Sequence, residues 1–257
     1  MIEKYFKLIV LAAGMGTRLL PYTQNMPKCL VEINGKSLLD YQLEIIKSLP
    51  IEEVVLVGGY KSQLLVGRGD KLILNDDFEH TNMVHSLFCA ESELSGDVLI
   101  SYGDIVYARE AAEAIIQSEA DIAVVVDENW WSYWKARFVH VLDDAETLAL
   151  ANEGQIVDIG GKPQSVEEID GQYIGLIKLS SKGVENIKKT YQWLCGRGEY
   201  RGRAVQALYI TDLLQAAIDL GFIVQSVPIR CDWIEVDSVS DLNLEVTHTR
   251  LRSIILA

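Results

Sequence analysis

Short apolar runs alternate with helical patterns through the first half of this chain, and this alternation restricts the fold more than any other feature. Runs rich in Val, Ile and Leu, typical of buried strands, occupy residues 7–12, 53–57, 71–74, 98–101 and 122–126. Residues 37–48 space their apolar side chains as a helix does, and Ser37 with Asp40 resembles a capping box. Strands that alternate with helices predict an α/β fold with a Rossmann-like mixed, mostly parallel sheet flanked by helices.

The second half of the chain continues this pattern after one change of character. Further helices are predicted at residues 83–91, 109–118, 180–194, 211–220 and 239–256, and further strands at residues 172–179 and 222–228. Residues 130–171 are rich in tryptophan and glycine, and we interpret them as a small β insertion that forms a lid near the ligand-binding edge. Residues 1–257 contain no repeat or linker-like stretch, so we expect a single domain.

The balance of charges and the spacing of cysteines exclude several classes of protein. With 37 Asp and Glu against 23 Lys and Arg, the formal net charge is −14, which argues against binding nucleic acid or an anionic membrane. The apolar run at residues 8–13 is too short for a membrane span and lacks the shape of a signal peptide, so we expect a cytoplasmic protein. No C-x-x-C pair occurs, which favours reduced, isolated thiols at Cys29, Cys89, Cys195 and Cys231.

The stretch LIVLAAGMGTRLLPYTQNMPK, residues 8–28, carries the clearest sign of a ligand. An apolar strand runs into Gly14 and Gly16, where the backbone can approach phosphate oxygens. Arg18 and Lys28 follow, two cations in an acidic chain. The stretch is either a tight turn with solvated cations or a cradle for a polyphosphate. The sequence fits neither the dinucleotide fingerprint nor the P-loop pattern, because in each case one glycine that the pattern requires is missing.

The whole string A-A-G-x-G-T-R-L-x-P-x-T-x-x-x-P-K resembles the N-terminal signature of the sugar-nucleotidyltransferase superfamily, and residues 30–39 also fit it. The resemblance implies a GT-A-like nucleotidyltransferase fold. It also implies catalytic roles for Arg18, which would hold the leaving pyrophosphate, and for Lys28, which would bridge the reacting phosphates. Alignment and charge neutralisation dominate such chemistry. By the same resemblance, the nucleotide contacts Leu11, Ala12, Ala13, Gly14, Met15, Gly16 and Thr17.

Residues 75–90, NDDFEHTNMVHSLFCA, resemble one branch of that superfamily. Enzymes that act on sugar 1-phosphates typically carry a Gly/Ala-rich segment at this place. The string is similar instead to the branch of choline-phosphate, 2-aminoethylphosphonate and phosphoglutamine cytidylyltransferases, as are residues 126–137 and 170–178. The resemblance is weaker over residues 193–207. It implies further nucleotide contacts from Asn82, Ser86, Tyr102 and Gly103.

Two aspartates resemble the metal ligands of the family. Asp104 follows an apolar strand in a Gly-Asp pair, and Asp237 ends the segment W-I-E-V-D. Transfer of a nucleotide to an anionic acceptor needs a divalent cation, and Mg²⁺ prefers one or two carboxylates together with phosphate oxygens. We therefore expect Mg²⁺ on Asp104 and Asp237. The alternatives are a turn or cap role for Asp104 and an N-cap role for Asp237.

Aromatic residues and carboxylates could form a cage for the ammonium group of an acceptor. The cage would draw on Trp130, Trp131, Trp134, Tyr173, Trp233, Asp127 and Glu235. Arg137 could hold a carboxylate, which would suit an amino-acid acceptor better than choline. We take Trp130, Trp134, Arg137, Tyr173 and Glu235 as the predicted substrate contacts. Core or lid packing is the alternative, because tryptophans with this spacing often serve it.

The resemblance, together with these residues, implies a cytidylyltransferase that moves CMP from CTP to the phosphate or phosphonate of a small amine-bearing metabolite and releases pyrophosphate. Its partners would be CTP and that phosphorylated acceptor, with no nucleic acid and no membrane, and its role would be surface polysaccharide (capsule) or lipid decoration. A homodimer is compatible with the sequence. A sugar-1-phosphate nucleotidyltransferase is one alternative. An inactive nucleotide-binding regulatory subunit is another, although such subunits usually lose one of the four residues Arg18, Lys28, Asp104 and Asp237.

Overall fold

A mixed nine-stranded sheet forms the centre of the computed structural model, which describes residues 5–230 and 232–256. From edge to edge, with strands numbered in chain order, it contains β5 (Lys71–Leu74), β4 (Ile51–Gly58), β1 (Phe6–Ala12), β6 (Asp97–Tyr102), β11 (Gln172–Leu179), β8 (Ile122–Asp127), β14 (Val224–Ile229), β10 (Gln155–Ile159) and β9 (Leu148–Leu150). Strands β10 and β11 run opposite to the others. The predicted mixed, mostly parallel sheet is confirmed.

Helices cover both faces of this sheet. The described residues form α1 (Leu38–Ile46), α2 (Met83–Cys89), α3 (Arg109–Gln117), α4 (Trp130–Arg137), α5 (Ser181–Arg197), α6 (Ile210–Asp219), α7 (Val239–Asn243) and α8 (Glu245–Leu256). Strand β1 shows how the faces divide, because Ile9 packs with the cluster that includes α2, α5 and α6, whereas Leu8 and Val10 pack with that of α1, α3 and α4. Alternate residues of a strand point to opposite faces, so a strand covered on both sides reads as a continuous apolar run.

Short strands outside the central sheet position the site. They are β2 (Glu32–Ile33), β3 (Lys36–Ser37), β7 (Ile105–Tyr107), β12 (Glu199–Tyr200), β13 (Arg203–Ala204) and β15 (Trp233–Glu235). Strand β7 directly follows the turn after β6, and it pairs antiparallel with β15, so that Ile105 lies opposite Glu235. This pairing brings a segment near the C-terminus to the carboxyl end of β6.

The segment 130–171 differs in part from its predicted β structure. Trp130–Arg137 is a helix, because Trp130, Tyr133, Trp134 and Arg137 recur at helical spacing and bury one face. Strands β9 and β10 of the same segment extend the central sheet through β14. Since one sheet spans the described residues, we propose a single domain.

The predicted C-terminal helix is interrupted. Residues 239–256 form α7 and α8, and Leu244 between them has an extended backbone with ψ 132°. In the parts of the chain that the structure describes, every helix is too short or too polar to cross a bilayer. The thiols of Cys29, Cys89 and Cys195 are free, and Cys231 lies outside the described residues.

Candidate active site

The glycine loop after β1 is held in a shape that only glycine adopts easily. Gly16 has φ +62°, in the left-handed region, and a Cβ there would lie 3.0 Å from the Cβ of Lys28. The hydroxyl of Thr23 donates a hydrogen bond to the Gly16 carbonyl at 2.7 Å. The loop leads into a short 3₁₀ turn at Thr17–Leu19. It therefore packs directly against the segment that carries Lys28.

A first cavity of about 290 Å³ opens over this loop. Its lining includes most of the residues predicted to contact a nucleotide: Leu11, Ala12, Ala13, Gly14, Gly16, Thr17, Asn82, Ser86 and Gly103. Arg18 and Lys28 line it as well. Met15 does not belong to the lining, and Tyr102 lines a second cavity instead. Sequence reasoning missed four residues that also line this cavity: Cys29, Phe78, Thr81 and Met83.

The start of α2 forms the opposite wall of the first cavity. Asn82 caps this helix, and its side-chain oxygen accepts a hydrogen bond from the Met83 N–H at 2.8 Å. The buried amide of Asn75 donates to Ser86 Oγ at 3.0 Å and to Thr81 Oγ1 at 2.9 Å. Asn75 thus fixes two polar side chains of the lining, a role that its position in the sequence did not reveal.

Three carboxylates from distant parts of the chain meet at the end of β6. Ligand oxygens of Asp104, Glu235 and Asp237 all lie within 4.8 Å of one another. The Val236 N–H donates to the Asp104 carbonyl at 3.1 Å, in continuation of the β7–β15 pairing. Gly103 permits the close approach, because a Cβ there would lie 2.9 Å from the Leu11 carbonyl oxygen. The two predicted metal ligands are brought together, and Glu235 joins them.

Two cations lie on this carboxylate cluster. Lys28 Nζ donates to Asp104 Oδ2 at 2.5 Å and also to Asp237. Arg18 Nη2 lies 3.2 Å from Asp237 Oδ1, and 62% of its side chain is exposed. Burial alone would lower the pKa of Lys28, but the charges of Asp104 and Asp237 outweigh burial and raise it. Lys28 therefore remains a cation near neutral pH.

The donor set of the cluster fits a divalent cation. Asp104 Oδ1 is buried and has no hydrogen-bond partner among the described residues, as expected of an atom that serves an ion. Burial, followed by repulsion from Asp237, raises the pKa of Glu235 to about 8. A bound cation would give Asp104 Oδ1 a partner and would reduce the repulsion between the carboxylates.

Arg137 and Trp130 differ from their predicted role as substrate contacts. The side chain of Arg137 is 0% exposed, with Nη1 2.7 Å from Glu235 and Nε 3.0 Å from Asp241. Trp130 is 4% exposed and packs in the core beneath α4. Neither residue lines either cavity. The charge of Arg137 is matched by Glu235 and Asp241, so Arg137 orients Glu235 and is not free to bind a substrate carboxylate.

The side chains of the predicted aromatic cage do not come together around one pocket. Trp233 is buried and donates its indole N–H to Asp127 Oδ2 at 2.8 Å, while Trp131 lies on the surface. Trp134 and Tyr173 remain beside a cavity together with Glu235. Helical spacing in α4 explains the separation, because consecutive tryptophans of a helix point in different directions.

A second cavity of about 520 Å³ adjoins the first and shares Arg18, Asp104 and Asp237 with it. Sequence reasoning missed several polar residues of its lining: Asp143, Asp144, Glu146, Lys162, Arg203, Tyr209 and Thr211. These residues come from three separated segments, and Arg203 belongs to the stretch with the weakest resemblance. The two cavities therefore meet at one carboxylate cluster.

Comparison with known proteins identifies the family of the chain. Residues 8–167 match the MobA-like NTP transferase domain. The chain is 37% identical over 249 residues to a CTP:phosphoglutamine cytidylyltransferase of Campylobacter jejuni subsp. jejuni serotype O:2, which covers 93% of this chain and 98% of that protein.

Two solved structures share the fold. The inositol-1-phosphate CTP transferase from T. maritima superposes with a TM-score of 0.74 at 23% identity, over 97% of this chain and 96% of that one. A CTP:phosphocholine cytidylyltransferase from Streptococcus pneumoniae gives a TM-score of 0.69 at 22% identity, over 98% of this chain and 100% of that one.

These matches confirm the family and the GT-A-like fold predicted from the glycine loop. They also confirm the branch that contains cytidylyltransferases for small phosphorylated acceptors. The chain belongs to the family of MobA-like NTP transferase domains.

Proposed function

We propose that the protein is a CTP-dependent cytidylyltransferase that transfers CMP to the phosphate or phosphonate of a small amine-bearing metabolite. One observation carries this proposal: Arg18 and the carboxylate cluster lie where a glycine-loop cavity meets a second, polar cavity. Such a junction suits two phosphorylated substrates, because their reacting groups must meet at a point where negative charge is neutralised. Similarity to the phosphoglutamine enzyme supports both CTP and a small acceptor.

The reaction needs no covalent intermediate with the protein. An ionised oxygen of the acceptor donates an electron pair to the α-phosphorus of CTP. The bond from that phosphorus to the oxygen that bridges to the β-phosphate breaks, and pyrophosphate leaves with the electron pair. Arg18, exposed at the cavity junction, neutralises the leaving group, and Lys28 holds the reacting phosphates together.

We propose Mg²⁺ as the cation of the carboxylate cluster, held by Asp104 and Asp237. The free Asp104 Oδ1 supports this assignment. The ion would neutralise phosphate charge when bound. Glu235 borders the same cluster, and its ion pair with Arg137 fixes it in place.

The cellular role follows from the product. A small amine activated as its CMP derivative is a donor for decorating surface polysaccharide, such as capsule, or lipid, and we propose this role. We place the enzyme in the cytoplasm, where CTP is made. The relatives are named for phosphoglutamine and phosphocholine. We expect the second cavity to accept small phosphorylated molecules of this kind.

The role of Lys28 is tested by Lys28→Ala. Pyrophosphate release with CTP should fall by about 100-fold or more, the typical effect of removing a group that stabilises transition-state charge. Lys36→Ala is the matched control, because Lys36 pairs with Glu44 on α1 and lines neither cavity. Circular dichroism of both variants checks the fold. Near-normal turnover in a folded Lys28→Ala protein would contradict the assignment.

A further inference from the structure

Glu146 is a carboxylate without a counter-ion in the second cavity. Its one side-chain hydrogen bond from the described residues comes from Thr211 Oγ1 at 3.4 Å, and no cation of those residues forms an ion pair with it. Its backbone is fixed by the side chain of Gln172. Burial, followed by repulsion from Asp212, raises its pKa to about 7, and the charge of Arg203, which forms no direct ion pair with it, offsets only part of this rise. A partly buried carboxylate of this kind is costly unless a ligand supplies the missing positive charge.

Arg203 presents unused donors to the same cavity. Its Nη1 bonds the carboxylate of Asp212 at 3.1 Å, and its guanidinium lies over the ring of Tyr209 at 5.1 Å. The Nε and Nη2 donors have no partner in the described parts of the chain, and 42% of the side chain is exposed. The free edge of a guanidinium anchored in this way is suited to binding a carboxylate.

The beginning of α6 holds these opposite charges side by side. Thr211 bonds Glu146, and the next residue, Asp212, bonds Arg203. Both supporting side chains are buried, with Thr211 4% and Asp212 1% exposed. Consecutive residues of one helix therefore fix a negative and a positive group on the wall of a single cavity.

Two further features favour a ligand in this cavity. The indole N–H of Trp134 is buried, has no acceptor among the described residues, and belongs to a side chain of the lining. Lys162 is partly engaged, because two of its three N–H donors go to the carbonyls of Leu142 and Asp143 at 2.5 and 2.6 Å. Arg18 already pairs with Asp237 of the carboxylate cluster, whereas Arg203 keeps two donors, Nε and Nη2, without a partner among the described residues.

We infer that Glu146 and Arg203 bind the two charges of an α-amino-acid head group, the ammonium on Glu146 and the carboxylate on Arg203. This inference rests on the proposed function and narrows its acceptor to a phosphorylated amino acid or amino-acid amide. The phosphoryl end then reaches Arg18 and Asp237, which both cavities share. Simple amino-alcohol phosphates leave Arg203 unpaired, and a quaternary ammonium offers Glu146 no N–H donor.

A matched pair of acceptors isolates the carboxylate contact. O-phosphoserine and phosphoethanolamine differ only by that group, and phosphoglutamine and phosphocholine extend the comparison. With CTP saturating, the wild-type protein should use each carboxylate-bearing acceptor better than its counterpart. In Arg203→Met, KM for O-phosphoserine and phosphoglutamine should rise about 10-fold to 100-fold, the loss of one charge-assisted hydrogen bond, while KM for phosphoethanolamine stays nearly constant.

The control variant is Arg201→Met, which removes the same charge from the same hairpin. Arg201 pairs with Asp158 and lines neither shared cavity, so both acceptors should retain their wild-type KM. Glu146→Gln should raise KM for O-phosphoserine, phosphoglutamine and phosphoethanolamine, which carry N–H donors, and leave KM for CTP unchanged.

The outcomes separate this inference from the proposed function. Equal use of O-phosphoserine and phosphoethanolamine by the wild type, or an equal loss of both in Arg203→Met, would overturn the zwitterion subsite and leave cytidylyl transfer intact. Failure of the wild type to release pyrophosphate from CTP with any of the four acceptors would overturn the proposed function itself.

Discussion

Lys28 binds the same two carboxylates that we propose as the metal ligands. Its ammonium bonds both Asp104 and Asp237. Without substrates, the cation of the chain and a divalent ion therefore compete for the same carboxylates. A nucleotide relieves this competition by offering Lys28 phosphate oxygens.

Removal of Lys28 should strengthen metal binding in the absence of a nucleotide. In Lys28→Met, the carboxylates lose their internal counter-ion, and the Kd for Mn²⁺ alone should fall about 10-fold. Electron paramagnetic resonance of free Mn²⁺ measures this directly. Lys36→Met, far from the cluster, should bind as the wild type does. An unchanged or weaker affinity in Lys28→Met would contradict the competition.

Glu146 should make stability fall as pH rises. Its pKa is raised from 4.5 to about 7, so the folded protein binds this proton more tightly than the unfolded chain does. Ionising Glu146 lowers the free energy of unfolding. This cost is absent below pH 4.5, grows between pH 4.5 and about 7, and is complete above that pH. Glu146→Gln removes this cost and should stabilise the protein by about 3 kcal/mol well above pH 7, with almost no gain near pH 4.

Urea unfolding at the two pH values measures this difference. Glu153→Gln is the control, because Glu153 is exposed on a turn, and it should show the same small effect at both pH values. A gain from Glu146→Gln that does not depend on pH would indicate that its carboxylate is not held in an unfavourable site.

At the scale of elements, the two glycines of the glycine loop differ in how much the fold depends on them. Gly16 combines a positive φ with contact to Lys28, whereas a Cβ on Gly14 would meet nothing within 4 Å. Gly16→Ala should therefore cost about 1–2 kcal/mol of stability. Gly14→Ala should change stability by less than about 0.5 kcal/mol. Denaturant titrations of both variants compare them, and equal destabilisation would contradict this account of the loop.

Strands with a continuous apolar run could be predicted from the sequence, whereas segments whose residue types favour both strand and helix could not. The apolar runs predicted β1 and β8 closely, because strands covered on both faces leave little ambiguity. Helix α4 was mistaken for β structure, since tryptophan favours strands and the run Trp130–Arg137 carries few aliphatic residues. The break at Leu244 left no Gly or Pro in the sequence to mark it.

At the scale of the whole molecule, the two cavities differ in how far the sequence predicts them. The first is built largely from one continuous signature at residues 8–28, so local residues predicted its lining. The second combines the predicted Tyr173 with Glu146 and Arg203, two unpredicted residues from segments that meet where α6 packs against the β10 side of the sheet. Tertiary contacts between distant segments leave no periodic trace in a single sequence. Of the five predicted substrate contacts, Trp134, Tyr173 and Glu235 line this cavity, whereas Arg137 and Trp130 do not.

The central claim is that CTP and a small phosphorylated amine meet at the carboxylate cluster. The direct measurement is pyrophosphate release by the purified wild-type protein with CTP and Mg²⁺, in parallel with phosphoglutamine, phosphocholine, 2-aminoethylphosphonate and hexose 1-phosphates. We expect release with the amine-bearing acceptors, with phosphoglutamine as the best, and formation of the matching CMP conjugate. Release with the hexose 1-phosphates alone would contradict the account.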